Sequence, residues 1–276
     1  MTRVRIALAQ IRCEKGDWPG NLDRAAGYMA QAAAQGCDII VLPEAGLSGY
    51  CDPARFPQAA QPLDSPQVRQ FVAQAAHSGI AASGGFLETN PGGKPFVTQI
   101  LVHDGRIAGV YRKVNLGEDE PMYAAGSAMP VFTLPTRDRA VPCALAICAD
   151  SDRPALFAAY AARGARVVFH SSAPGLYTRR TDAASWQAGF AWYEGYLAAS
   201  LPGYAREHRL FIAVATQTGP TVDEDFPGGS FVFGPDGTRL AGTTGPEETL
   251  LVHEILIPPA LDRDLAHDPG SPEAQS

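Results

Sequence analysis

The feature that most constrains this chain is a repeated switch of hydrophobic period. VRIALAQI, residues 4–11, reads as a strand, and LDRAAGYMAQAAAQG, residues 22–36, spaces its apolar residues as a helix stopped at Gly36. CDIIVLPE, residues 37–44, is then a short buried strand closed by Pro43. A strand, a helix and a strand in succession require a sheet covered by helices. The rhythm returns downstream. A helix from about Gln67 to His77 leads to the strand IAASGGFLE, and VPCALAIC leads through the helix PALFAAYAARG, stopped by Gly164, to the strand ARVVFH.

Antiparallel pieces are interleaved with these units. Asp104-Gly105 joins FVTQILVH to RIAGVYRKV, and Asp236-Gly237 sits inside GGSFVFGPDGTRLAG; both dipeptides are hairpin signals. Between residues 174 and 209, Tyr177, Trp186, Trp192, Tyr193, Tyr196 and Tyr204 are spaced among alanines as helical packing residues, and LFIAVATQTG resumes as strand. No repeat of fixed period and no linker divides the chain. The expectation is one α/β domain with mixed β-sheets over residues 1–261, followed by a loose C-terminal tail, DRDLAHDPGSPEAQS, over 262–276.

Charge narrows the function classes. Twenty-two Lys and Arg against 29 Asp and Glu give −7, and no basic block interrupts the mixture, so neither nucleic acid nor an anionic membrane is an expected partner. No apolar run approaches a membrane span. The five cysteines, at 13, 37, 51, 143 and 148, are odd in number, dispersed and without a CxxC pair. They fit neither a disulfide framework nor a zinc site, and a reducing, cytoplasmic location is expected. HExxH, Walker and GxGxxG patterns are absent, so no metal or cofactor is expected.

Three polar residues stand directly after strand-like runs: Glu44 in VLPEAGLSGY, Lys113 in VYRKVNL and Cys148 in LAICADSDRP. Residues at strand ends of α/β sheets face the crevice where ligands bind. The motifs LPEAGLSGY, YRKVNL and CADSDRP, in that order, resemble the Glu, Lys and Cys motifs of the carbon-nitrogen hydrolase family, the nitrilase superfamily. RIALAQI with GDWPGNL, AREHRLFIAVATQTG and GGSFVFGPDG extend the resemblance over nearly the whole chain. It implies a four-layer αββα sandwich, no cofactor, and hydrolysis of a small-molecule amide, carbamoyl compound or nitrile through a cysteine acyl-enzyme. It also implies association into a homodimer or larger homo-oligomer through helical faces.

Physical chemistry assigns the parts. A free thiol is a few per cent ionised at neutral pH and needs a base, a cation or a helix N-terminus to become a strong nucleophile. A helical pattern starting at Pro154 follows Cys148 closely, and together with Lys113 it is expected to favour the thiolate. Lys113 and the backbone N–H of Ala149 are the expected oxyanion donors, and Glu44 the proton carrier. The resemblance further implies a second glutamate supporting Lys113. Glu118 and Glu120 both qualify, and DEPMYAAG favours Glu120.

The loops GLSGYCDPARF and SSAPGLYTRR are expected to shape the pocket, with Tyr50 as a substrate contact and Arg55, Arg179 or Arg180 as partners for a substrate carboxylate. His170 ends ARVVFH and in a parallel arrangement emerges near the thiol, either lining the pocket or satisfied at its strand end. The leading expectation is amide or N-carbamoyl hydrolysis. The rivals are nitrile hydrolysis, a Cys148/His170 thiol acyl-transfer enzyme, and a non-catalytic metabolite-binding member of the fold.

Overall fold

The computed structural model describes residues 1–259, so the expected tail at 262–276 lies outside the described residues. In chain order, β1 (Thr2–Gln10) is followed by α1 (Trp18–Ala34), β2 (Ile39–Val41), α2 (Pro66–Ser78) and β3 (Ala81–Glu88). A hairpin of β4 (Phe96–His103) and β5 (Arg106–Arg112) follows, then β6 (Phe132–Leu134), β7 (Val141–Ile147), α3 (Pro154–Ala162) and β8 (Val167–Ser172). The chain continues through α4 (Ala183–His208), β9 (Phe211–Thr216) and a small ribbon of β10 (Thr218–Pro220) and β11 (Asp225–Pro227). It ends with β12 (Phe231–Phe233), β13 (Arg239–Gly242) and β14 (Thr249–Ile257).

Two mixed six-stranded sheets result, ordered β14-β1-β2-β3-β4-β5 and β13-β12-β9-β8-β7-β6. β1 shows why the chain makes four layers. Its Ala7 and Ala9 pack with Trp18, Leu22 and Met29 of α1 and Phe71 of α2, while Val4, Ile6 and Leu8 on the other face join a core that includes Leu145, Val168 and Val214 of the second sheet. That same core continues to Phe157 of α3 and Leu197 of α4. Strands buried on both faces carry short continuous apolar runs, as IALA of β1, CALAI of β7 and VVF of β8 do.

Local signals act largely as expected. Ser65 caps α2 by accepting from the Val68 amide at 3.2 Å, and Gly79 ends the helix in the left-handed conformation. Asp104 and Gly105 both have positive φ, 50° and 68°, as a two-residue hairpin turn demands. The second hairpin differs from the expected dipeptide turn. Only Gly237 is left-handed there, the Asp236 carboxylate accepts from the Thr238 amide at 3.0 Å, and the loop closes from Gly234 N to Thr238 O at 2.8 Å. Trp186, Trp192, Tyr193, Tyr196 and Tyr204 fall on the single helix α4, while Tyr177 precedes it and is 94 % exposed. β14 was not signalled by the sequence reading, yet it pairs antiparallel with all of β1, from Thr2↔Ile257 to Gln10↔Thr249.

Strand direction then positions the chemistry. β1, β2 and β3 run parallel in one sheet, and β7, β8 and β9 run parallel in the other. The loops at their C-terminal ends are bonded to one another: Thr218 N donates to Ile11 O at 3.1 Å and Ser171 Oγ to Leu42 O at 2.8 Å. Gly85 of β3 lies directly beneath the turn that follows β2. A Cβ at Gly85 meets Gln99 Oε1 at 2.4 Å and Ala45 N at 2.6 Å. Gly85→Ala is therefore expected to destabilise the protein by about 1–3 kcal/mol, as overpacking does, and to displace Glu44. Thermal melting of the variant checks this; an unchanged Tm contradicts it.

Candidate active site

Each of the three strand-end residues is held by backbone that the fold over-determines. Glu44 precedes Ala45, whose φ of 47° is left-handed, and Cys148 itself has φ 40°. Such a conformation is strained for a residue with a Cβ and persists only where its surroundings enforce it. Lys113 is fixed at the end of β5 by its own N–H on Val97 O, at 2.9 Å, and by Gly126 N on its carbonyl, at 2.7 Å.

The side chains meet in one buried cluster. Lys113 Nζ donates to Glu44 Oε1 at 2.8 Å and to Glu120 Oε1 at 2.7 Å, and the three groups are at most 2 % exposed. The second Glu44 oxygen accepts from the Ala173 amide at 3.0 Å. The second Glu120 oxygen accepts from Gly117 N at 2.5 Å, which turns this glutamate inward, while Glu118 faces solvent. The Tyr50 hydroxyl, expected to meet substrate, donates to Glu120 Oε1 at 2.9 Å.

Electrostatics follow from this burial. Burial raises Glu44, Lys113 pulls it down and Glu120 pushes it back up, leaving it at about 7. Burial alone lowers Lys113, but Glu44, Cys148 and Glu120 outweigh it and keep the ammonium protonated. The Cys148 thiol is pushed well above its ordinary value by burial and by Glu44, against the opposing pull of Lys113 and the Ala173 amide. Burial and the carboxylates therefore oppose the expected thiolate. Two carboxylates outnumber one ammonium beside the sulfur, and a short 3-10 turn, Cys148–Asp152, separates it from α3. These surroundings favour the neutral thiol over the thiolate, so the proton leaves as sulfur attacks.

The sequence reading missed Asp150. Its carboxylate, 0 % exposed, accepts from Ile147 N at 2.8 Å, Tyr111 Oη at 2.6 Å and Asn115 N at 2.9 Å. One side chain thus ties the turn carrying Cys148 to the strand carrying Lys113. Asn115 adds a return bond, Nδ2 to Ala149 O at 2.6 Å. The only sequence signal was an acid two residues after the cysteine, which reads as a solvated turn.

The remaining expected contacts are engaged with protein. Arg55 pairs with Asp223 at 2.6 Å, and Arg179 pairs with Asp225 and donates to the Val222 carbonyl at 2.7 Å. Arg180 donates to Thr178 Oγ1 at 2.9 Å. His170 is fully buried, with Nε2 on Cys148 O at 3.1 Å and Nδ1 on Ser172 Oγ at 3.0 Å. Both ring nitrogens are occupied, so this histidine neither offers a free base nor lines an open pocket. Among the described residues no cluster of His, Cys, Asp and Glu is arranged to hold a metal ion, and no helix is long and apolar enough to cross a membrane.

Known proteins share this arrangement's fold and sequence. The family model described as Carbon-nitrogen hydrolase matches residues 5–258. An (R)-stereoselective amidase from a Pseudomonas species is 27 % identical over 91 % of this chain and 85 % of its own length. Omega-amidase NIT2 of Pongo abelii is 26 % identical over 92 % and 89 %. Among solved structures, a cysteine-to-alanine mutant of the Nesterenkonia AN1 amidase, of the nitrilase superfamily, superposes with a TM-score of 0.75 at 28 % identity, covering 91 % of this chain and 90 % of that one. Another mutant of the same amidase carries the acetamide moiety of fluoroacetamide covalently on its active-site cysteine.

Proposed function

The chain belongs to the carbon-nitrogen hydrolase family, and on that premise we propose that it hydrolyses the C–N bond of a small-molecule amide through a cysteine acyl-enzyme built by Cys148, Glu44, Lys113 and Glu120. The observation that carries this reading is the single buried ammonium of Lys113 held between two carboxylates, at 2.8 and 2.7 Å, beside a strained cysteine elbow.

The steps balance with these groups alone. Ionised Glu44 takes the thiol proton as sulfur bonds to the carbonyl carbon, and the carbonyl electrons move onto oxygen. Lys113 and the Ala149 N–H stabilise that oxyanion, a kind of contact typically worth about 3–4 kcal/mol per donor. Collapse of the intermediate breaks the C–N bond, and Glu44 returns its proton to the leaving ammonia or amine. Water then attacks the thioester, giving a proton to Glu44; collapse breaks the C–S bond and frees the acid, and Glu44 passes that proton to the departing sulfur, restoring the thiol. A carboxylate titrating near 7 suits both directions of transfer. Glu120, tied to Tyr50 and Gly117, holds Lys113 in place.

All five cysteines are free, which supports a reducing, cytoplasmic setting. We read residues 1–261 as one hydrolase domain. Association into a homo-oligomer fits the half-exposed Trp192 on α4. With Arg55 and Arg179 already paired to Asp223 and Asp225, Arg180 is the arginine of the three whose guanidinium has no carboxylate partner among the described residues.

Ammonia release tests this reading, measured with purified protein against amides, ω-amides, carbamoyl compounds and nitriles, with Cys148→Ala in parallel. Turnover of neutral amides that disappears in the variant is the expected result. Silence across the panel, or turnover that survives Cys148→Ala, overturns it.

A further inference from the structure

We propose that His170 is a positioning residue for the oxyanion site: by holding the carbonyl of Cys148, it aims the N–H of Ala149 at the carbonyl oxygen of the substrate. The inference rests on the amide-hydrolase reading and goes beyond it, because it assigns work to a buried residue that touches neither substrate nor sulfur.

The geometry follows from the peptide unit. The Cys148 carbonyl and the Ala149 N–H belong to one planar group, and no described peptide bond is cis, so the two point in opposite directions. His170 Nε2 sits 3.1 Å from the Cys148 oxygen on the buried side, where the ring is 0 % exposed. The N–H therefore faces the other side, where Cys148 and Ala149 are both partly exposed. The next peptide unit is also held, because Asn115 Nδ2 donates to Ala149 O at 2.6 Å. The two carbonyls that flank Ala149 are thus each bound by a side chain.

Chemistry also decides the proton on the ring. A carbonyl oxygen only accepts, so Nε2 carries hydrogen and Nδ1 is left to accept from Ser172 Oγ, 3.0 Å away. Burial keeps the ring neutral by lowering its pKa to about 4. An elbow with φ 40° gains from such a clamp, since a left-handed residue relaxes by rotating the peptide that follows it. Strand register supplies the clamp. His170 stands on β8 opposite Ala146 of the parallel neighbour β7, two residues before the elbow.

The test separates oxyanion alignment from general disorder at the site. His170→Leu removes the donor, while His170→Gln restores an N–H near the position of Nε2. In His170→Leu, kcat for a neutral amide is expected to fall about 10- to 100-fold, less than the roughly 10²- to 10³-fold that loss of an oxyanion donor itself costs. KM should stay within threefold, and His170→Gln should recover most of the loss. Inhibition by the matching aldehyde, whose thiohemiacetal oxygen occupies the same site, should weaken by a similar factor. Alkylation of Cys148 by iodoacetamide, which develops no oxyanion, should keep its wild-type rate.

Wild-type kcat in His170→Leu overturns the proposal, and so does alkylation that slows in step with turnover. Should His170→Leu not fold, Ser172→Ala frees Nδ1 and the tautomer, and the same split at a few-fold to tenfold is expected. Parallel loss of turnover and alkylation in Ser172→Ala, or no loss at all, again overturns it. Wild-type turnover in the same assay keeps the hydrolase reading standing whichever way these variants fall.

Discussion

Glu44→Gln is expected to lower kcat/KM for a neutral amide by about 10³-fold, within the range that removal of a general acid–base group produces. Glutamine matches the shape and retains an acceptor, but it cannot take the thiol proton or return it to the leaving amine. The pH profile is the sharper signature. Glu44 titrates at about 7 because burial raises it, so below that value the carboxyl is protonated and cannot act as a base. The wild-type kcat/KM should rise with pH through about 7, and the residual activity of Glu44→Gln should lack that limb. A rival in which His170 serves as the base predicts the reverse ranking, with Glu44→Gln tolerated. Steady-state kinetics of the two proteins from pH 5 to 9 distinguish these outcomes.

Lys113→Met is expected to damage stability as much as chemistry. It leaves two buried carboxylates, Glu44 and Glu120, with no cation between them. Breaking a buried ion pair from one side typically costs about 3–5 kcal/mol, and for a chain of this size each kcal/mol moves Tm by about 2–4 °C. A fall on the order of 10 °C follows. The sign of its pH dependence can be worked out. Glu44 is already raised in the folded state and rises further without the ammonium, so its ionisation opposes folding above the ordinary carboxylate value. The stability deficit of Lys113→Met should therefore shrink as pH falls from 8 towards 5. Adding Glu44→Gln to Lys113→Met should recover part of the lost Tm, because one uncompensated charge is removed. Calorimetry of both variants across pH checks this, and a deficit that grows on acidification contradicts it.

Particular residues show what the sequence made legible. Glu44, Lys113 and Cys148 stand out because each polar residue closely follows a strand, and strand ends in α/β sheets face one crevice. Their order along the chain matches a known family, which also places the two facing sheets. Glu120 is only half legible, since it and Glu118 share an acidic turn. The inward direction of Glu120 comes from a local contact, Gly117 N on its carboxylate.

Other features depend on quantities that no linear pattern carries. The electrostatics of Cys148 combine the pull of Lys113 with burial and two carboxylates contributed by distant loops, and motif-level reasoning about Lys113 and a helix dipole carries only the first of these. Arg55 and Arg179 look available for a substrate carboxylate until the loop at 221–225 folds back and neutralises them. Asp150 looks like a solvated turn residue until β5 arrives with Tyr111 and Asn115. β14 illustrates a related limit. TLLVHEILI breaks its apolar run with His253 and Glu254, most of its residues are only partly covered, and its full pairing with β1 identifies it as a strand.

Acylation of Cys148 during turnover can be caught directly. Protein mixed with a neutral amide substrate, quenched in acid within the first turnovers and digested, should yield the peptide containing Cys148 with the mass of the acyl group added and ammonia lost. The same adduct should be absent from Cys148→Ala. Turnover without any adduct on Cys148, or with the acyl group on another residue, would contradict the account.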